Sequence, residues 1–157
     1  MILAAQDIIR YNIISPCVQR TVEHGMSYGV SAAGYDVRVE FDDKGQYDSH
    51  RLNPGEFMLA STIERFDMPD FLLGIVHDKS SWARRGLAVQ NTVIEPGWSG
   101  YLTLELTNHS PSYIIIKRGM PIAQIVFHVL SQPTDRPYSG KYQAQKRGPQ
   151  EPIDEAG

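Results

Sequence analysis

The 157-residue chain has one cysteine, Cys17, so it can form neither an internal disulfide nor a zinc site built from several thiolates. No apolar run approaches the ~20 residues that cross a bilayer, and no signal-peptide pattern opens the chain. The formal charge of -3 lacks the basic excess of a nucleic-acid-binding surface. We therefore expect a cytoplasmic protein whose partners include neither a membrane nor a nucleic acid.

The length and composition fit one domain over residues 1–157 with an ordinary hydrophobic core. Short β-rich runs separated by Gly and Pro turns, with little helix, indicate an all-β sandwich or barrel. The five histidines are scattered without the spacing of metal ligands. From Ser131 onward the chain is polar and rich in Pro, Gly and Gln. We expect residues 131–157 to form a tail that is mobile unless something docks it.

Two charged residues, Asp36 and Arg38, alternate along a predicted strand from Tyr35 to Val39. Residues two apart on a strand share one face. The simplest interpretation is a paired, solvent-facing strand edge.

The segment from Asp78 to Gly86 reads as a short helix. Asp78 or Ser80 can provide the N-cap, and Gly86 can take the left-handed conformation that ends a helix. With Lys79 and Arg84 beside its free N–H groups, this helix is either an anion cradle or a capped turn with solvated cations.

A carboxylate, Glu105, lies in the middle of the predicted strand from Tyr101 to Thr107, whose residues alternate strictly. The alternation predicts that Leu102, Leu104 and Leu106 share a core face. Glu105 is then either solvated on the open face or held in a polar pocket for chemistry.

The stretches KSSWARRGL, IEPGWSG, TLELTN and IAQIVF, in this order and spacing, resemble the dCTP deaminases of the trimeric dUTPase-like superfamily. The resemblance extends to SYGVSAAGYDVRV, PGEFMLASTIE and RPYSGKYQAQ and covers nearly the whole chain. The chain is shorter than is common in the family between the YDVRV strand and the PGEF turn. The resemblance implies a distorted β-barrel or jelly-roll with short helices, assembled as a homotrimer.

The resemblance also implies roles for particular residues. The general base corresponds to Glu105. The segment that binds water and phosphate corresponds to Lys79, Ser80, Ser81, Trp82, Ala83 and Arg84. Backbone contacts beside the base correspond to Thr103 and Leu104, and a triphosphate contact corresponds to Gln124. The tail that closes over the nucleotide corresponds to Tyr138, Lys141 and Gln145. In the family one subunit supplies the KSSWAR segment and another supplies the glutamate, and we expect the same arrangement here.

The activity that the resemblance implies is hydrolytic deamination of dCTP to dUTP and ammonia. Zinc deaminases carry H-x-E and P-C-x-x-C signatures, and this sequence has neither. A zinc-free site needs a carboxylate whose pKa is raised by burial, which favours Glu105. Ser80 can then hold the water, and Arg84 can compensate developing charge. The triphosphate implies Mg²⁺, held mainly by phosphate oxygens and water.

Two alternatives remain open on the sequence. The first is a dUTPase, or a bifunctional enzyme that continues to dUMP and pyrophosphate, for which Glu95 stands near the place of the dUTPase aspartate. The GKYQAQ tail argues against a pure dUTPase, whose tail motif is rich in glycine. The second is a non-enzymatic nucleotide-sensing module, which fold alone does not exclude. The sequence also leaves open whether dTTP is an inhibitor.

Overall fold

A computed structural model describes residues 1–156, which form twelve strands and two short helices. The elements in chain order are α1 (Ala5–Tyr11), β1 (Ile14–Ser15), β2 (Thr21–Glu23), β3 (Met26–Val30), β4 (Tyr35–Glu40), β5 (Ser49–Leu52), β6 (Phe57–Asp67), β7 (Leu72–Asp78), α2 (Ser80–Ala83), β8 (Leu87–Val89), β9 (Val93–Ile94), β10 (Ser99–Asn108), β11 (Ile114–Lys117) and β12 (Pro121–Val129). Neither of these helices has the length and apolar character needed to cross a membrane.

Ten strands form one curled antiparallel sheet whose main path runs β8-β10-β6-β4-β12-β7-β9. β1 pairs with β6, β2 and β3 extend from β4, and β5 with β11 forms a separate ribbon. The concave side packs around large, fully buried side chains, among them Tyr35, Phe66 and Phe127. This architecture confirms the all-β distorted barrel with short helices that the sequence predicts.

The strand β10 follows the predicted alternation, with one irregularity of register. Leu104 and Leu106 are fully buried in the core. The register with β6 shifts between Tyr101 and Thr103, which marks a β-bulge. Next to this bulge Leu102 is half-buried: it packs against the edge of the core and also lines an open cavity together with Thr103. The predicted core face therefore includes all three leucines, with Leu104 and Leu106 fully buried and Leu102 at its edge.

The charged pair on β4 lies inside the sheet, because β4 pairs with β3, β6 and β12. Asp36 and Lys79 form an ion pair with 3.1 Å between Oδ2 and Nζ, and both side chains are buried. Arg38 contacts the fully buried Glu64 at 2.8 Å. The predicted solvent-facing edge is wrong, since curling of the sheet covers both sides of β4. Charges in such a position persist only when they are paired.

The helix α2 has a different N-cap from the one predicted. Lys79 is the N-cap, without a side-chain capping bond, and Ser80 is the first helical residue. The carboxylate of Asp78 is engaged elsewhere, because it accepts a hydrogen bond of 2.7 Å from the Val89 N–H. Gly86 has a φ of +87°, which is the left-handed conformation predicted for it.

Candidate active site

An open cavity of about 610 Å³ lies against the part of β10 that carries Glu105. β10 and the start of β6 form its floor, residues 91–95 and Trp98 form one wall, and the C-terminal segment forms the other. The lining residues are Phe57, Leu59, Val76, Asn91, Thr92, Val93, Ile94, Glu95, Trp98, Leu102, Thr103, Glu105, Tyr138, Tyr142, Gln145, Gln150, Glu151 and Pro152.

The side chain of Glu105 is half-buried in this cavity. Within residues 1–156 its carboxylate takes part in no hydrogen bond to another side chain and in no ion pair. Burial raises the pKa of Glu105, and a hydrogen bond from its own backbone lowers it by less. A carboxylate with a raised pKa and no neutralising cation can take a proton from water and return it near neutral pH.

The carboxamide of Asn91 bridges two backbone groups of β10 beside this carboxylate. Its Nδ2 donates to the Thr103 carbonyl at 2.7 Å, and its Oδ1 accepts from the Glu105 N–H at 3.0 Å. The next bond along the same edge of β10 comes from the Gln90 N–H to the Glu105 carbonyl at 2.8 Å. The main chain of β8 pairs with one part of this edge of β10, and the side chain of Asn91 extends that pairing to the next part.

The C-terminal segment packs against its own barrel and reaches the same place. The side chain of Gln145 and the backbone N–H of Gln150 both donate to the Thr103 hydroxyl, the second at 3.1 Å. The carbonyl of Gln145 accepts from the Tyr101 N–H at 3.0 Å. The tail thus holds β10 two residues from Glu105.

Two glycines make room for the tail. A Cβ at Gly100 would lie 2.6 Å from the Gln145 nitrogen, and a Cβ at Gly97 would lie 2.6 Å from Pro137. Both have positive φ, +141° and +84°. Trp98 between them donates its indole N–H to the Tyr142 carbonyl at 2.6 Å. The PGWSG turn is therefore shaped to receive the tail.

A buried carboxylate, Glu40, fastens the tail further along. Its side chain is fully buried and pairs with the guanidinium groups of Arg118 and Arg147. The Gly148 N–H donates to the Ser61 hydroxyl at 3.3 Å. Because a buried charge is costly unless paired, Glu40 gives the tail a specific anchor.

The α2 segment lies elsewhere on the barrel. Trp82 is buried, and its indole N–H donates to the Pro121 carbonyl at 2.7 Å. Ser80 and Arg84 point to solvent. Burial raises the pKa of Asp36, and its ion pair with Lys79 lowers the pKa by less. Near this pair Gln124 donates to the Ser31 hydroxyl at 3.3 Å.

The structure thus divides the predicted site residues into two groups. The cavity brings together Thr103, Glu105, Tyr138 and Gln145. Outside its lining lie Lys79, Ser80, Ser81, Trp82, Ala83, Arg84, Leu104, Gln124 and Lys141. The cavity lining, among the described residues, contains three glutamates and neither lysine nor arginine.

Among the residues without a predicted role are three polar residues of the cavity lining, Asn91, Tyr142 and Gln150, and Arg147, which anchors the tail. Asn91 belongs to a polar Gln-Asn-Thr run that reads only as a turn between strands. The other three lie in a tail whose composition carries no periodicity. Only the partners they meet in the folded chain reveal their positions.

Comparison with known proteins places the chain in a family. A model described as dCTP deaminase-like matches residues 38–130, more than half of the chain. The chain belongs to the dCTP deaminase-like family. It is 36% identical over 164 aligned residues to a dCTP deaminase of Campylobacter concisus, with 88% of each chain covered. It is 35% identical to a "dCTP deaminase, dUMP-forming" of Methanopyrus kandleri, covering 92% of this chain and 72% of that one.

Solved structures share the fold of this dCTP deaminase-like chain. The crystal structure of a 2'-deoxycytidine 5'-triphosphate deaminase from Agrobacterium tumefaciens has a TM-score of 0.62 at 19% identity, covering 82% of this chain and 48% of that one. A native dUTPase of EIAV has a TM-score of 0.58 at 20% identity, covering 82% and 97%. A phage phi11 dUTPase of S. aureus, reported with a structural Mg(II) ion, has a TM-score of 0.56 at 16% identity, covering 78% and 93%. These likenesses confirm the predicted dUTPase-like fold.

Proposed function

We propose that this protein hydrolyses dCTP to dUTP and ammonia in the cytoplasm. The observation that carries the proposal is the carboxylate of Glu105, which lies half-buried in a cavity with a raised pKa and, among the described residues, no cationic partner. Membership of the dCTP deaminase-like family supports the same activity.

The chemistry needs one group that moves a proton twice. Glu105 takes a proton from water while the water oxygen attacks C4 of cytosine. Glu105 passes that proton to N3 of the ring. It then takes the remaining proton from the hydroxyl group on C4 and delivers it to the exocyclic amine, so that the C4=O bond forms, the C4–N4 bond breaks and ammonia leaves. The two protons of the water end on N3 of the uracil and on ammonia, so Glu105 returns unchanged.

The charge of the cavity supports a site shared between subunits of a homotrimer. A triphosphate needs cationic and N–H donors, whereas the lining described here contains glutamates and no lysine or arginine. The exposed Arg84 and the α2 backbone, together with Lys79, which is buried and paired with Asp36 at the start of α2, are the donors that the cavity lacks. We propose that α2 of one subunit faces the Glu105 cavity of the next, where Ser80 holds the water and Arg84 compensates charge.

The other members of the α2 group have binding or supporting roles in this proposal. Ser81 and Ala83 offer polar and backbone contacts on the exposed turn, and Trp82 fixes that turn on the barrel. Gln124 contacts the triphosphate, and the backbone of Thr103 and Leu104 borders the base. The tail residues Tyr138, Lys141 and Gln145 complete the wall over the nucleotide.

The proposed metal is Mg²⁺ that arrives with the triphosphate. Among residues 1–156, no three His, Cys, Asp or Glu side chains come together as a ligand set. Mg²⁺ that arrives with a nucleotide is usually held by phosphate oxygens and water, and we assign the ion that coordination here. The ion would neutralise phosphate charge, while the proton transfers belong to Glu105.

A bifunctional enzyme that continues to dUMP and pyrophosphate is the second candidate. One observation favours it: Glu95, near the place of the dUTPase aspartate in sequence, lines the same cavity as Glu105. The relative from Methanopyrus kandleri is named as dUMP-forming. Inhibition by dTTP is a further candidate property of this site.

The direct test is a product analysis. The protein is incubated with Mg²⁺ and either dCTP or dUTP, and the nucleotides, ammonia and pyrophosphate are separated and quantified. We expect dUTP and ammonia from dCTP, at a rate that a zinc-selective chelator leaves unchanged. Pyrophosphate from both nucleotides would favour the bifunctional enzyme. Binding of both nucleotides without any product would favour the sensing module and overturn the proposal.

Mixing of inactive subunits tests the shared site. Glu105→Gln and Arg84→Ala variants are each expected to be inactive, because each removes one half of the site. After joint denaturation and refolding at equal amounts, about a quarter of the sites in random trimers should contain both native residues. We expect about that fraction of native activity to return. No recovery, with mixed trimers verified by mass, would show that both residues act from one chain.

A further inference from the structure

One edge of β10 facing the cavity is paired by three different partners in succession. The tail carbonyl of Gln145 takes the Tyr101 N–H, and the Gln90 N–H takes the Glu105 carbonyl. Between these main-chain partners, the Asn91 carboxamide is the one group of residues 1–156 that covers the Thr103 carbonyl and the Glu105 N–H. This stretch of strand edge is therefore the part that a side-chain rotation can uncover.

The carboxamide offers a specific chemical pattern to the strand. It places a donor, Nδ2, and an acceptor, Oδ1, on neighbouring atoms of one planar group, at 2.7 and 3.0 Å from their partners. Cytosine carries the same pattern at its exocyclic N4 donor and adjacent N3 acceptor. A pyrimidine in the cavity can thus satisfy the same two backbone groups, with C4 placed beside Glu105.

We propose that the Asn91 side chain is a gate that occupies the position of the pyrimidine edge and rotates away when the base binds. This inference rests on the proposed function, because it assigns the base to the Glu105 cavity. Uncovering the Thr103 carbonyl and the Glu105 N–H without a substitute is unfavourable in a half-buried site. The gate therefore keeps β10 paired without nucleotide and competes with the base for the same bonds. Removing it should tighten binding of the base.

The test uses calorimetric binding to proteins that do not turn over. Glu105→Gln alone is compared with Glu105→Gln combined with Asn91→Ala, using dCTP and an abasic deoxyribose 5'-triphosphate as probes. We expect Asn91→Ala to lower the Kd for dCTP by about three- to tenfold. The Kd for the abasic triphosphate should not change, since that probe has no base edge to compete with the carboxamide.

Each outcome bears on a different claim. A Kd for dCTP that rises on Asn91→Ala, or stays the same, would overturn the gate and make Asn91 a ligand contact or a purely structural residue. An equal tightening of both probes would also overturn it, because the effect would not involve the base. Absence of dCTP binding to Glu105→Gln, with no turnover by the native protein, would instead defeat the proposed function.

Discussion

Replacing Glu105 by glutamine is expected to slow dCTP deamination by at least ~100-fold while leaving the fold and dCTP binding intact. The amide keeps the size of the side chain and removes the only function assigned to it, proton transfer. The loss should appear in kcat, with a small change in KM, because the missing interaction belongs to the transition state. Steady-state kinetics with dCTP and Mg²⁺ measure both constants.

The pH dependence of the rate and of the stability tests the role of Glu105 in a second way. Because burial raises the pKa of Glu105 above 4.5, the acid limb of the native pH–rate profile should have its midpoint above that value. A raised pKa means that the Glu105 carboxyl stays protonated to a higher pH in the folded protein than in the unfolded chain. Its contribution to stability is therefore present below the ordinary pKa and is lost as pH rises through the native pKa. Glu105→Gln should consequently be at least as stable as the native protein near neutral pH.

The matched control is Glu23→Gln, which changes an exposed glutamate on β2 outside the cavity. It should leave kcat, KM and the pH profile unchanged. Near-native turnover by Glu105→Gln would disprove the assignment of the general base. A large loss accompanied by unfolding would point to a structural role instead.

Cutting the chain after Gln132 is expected to leave a folded core but to weaken both stability and catalysis. β12 ends at Val129, so every strand of the barrel remains. The cut removes Arg147 and leaves the buried Glu40 with Arg118 alone. With allowance for the partial exposure of Arg147, the free energy of unfolding should fall by about 1–3 kcal/mol. Loss of one cavity wall should lower kcat/KM for dCTP at least ~10-fold.

Two point variants separate the anchor from the rest of the tail. Arg147→Ala breaks the pair with Glu40, whereas Lys146→Ala removes a neighbouring exposed cation outside that pair. We expect Arg147→Ala to reproduce part of both losses and Lys146→Ala to reproduce neither, by urea unfolding and dCTP kinetics. Full activity of the truncated protein would show that the tail has no part in the site.

Local sequence patterns predict the barrel well because each strand signals its own periodicity. The alternation around Leu104 and Leu106 and the positive φ of Gly86 follow from residue type alone. The bulge at Leu102 does not, because it depends on the register with β6. The burial of Asp36 likewise depends on pairing with other strands, because its partners are Gly29 on β3 and Gln124 on β12, far along the chain.

In the candidate site, too, some residues can be predicted from local sequence and others depend on tertiary contacts. Glu105 stands out in the sequence because it is a carboxylate in mid-strand, on the face opposite a row of leucines. Asn91 and Arg147 are ordinary polar residues whose importance comes from a strand edge and from a buried carboxylate far along the chain. The tail is also docked on the barrel through many contacts, which its polar composition alone does not suggest.

The clearance at Gly97 and Gly100 makes the effect of mutations there depend on the tail. In the full chain, a methyl group at Gly100 meets the backbone of Gln145 as well as the strain of a positive φ. In a chain cut after Gln132 the neighbour is gone and only the backbone strain remains. Gly100→Ala and the truncation should therefore show epistasis, with a combined stability loss smaller than the sum of the two. Variation tolerated at this turn is thus set by a segment more than forty residues away in sequence.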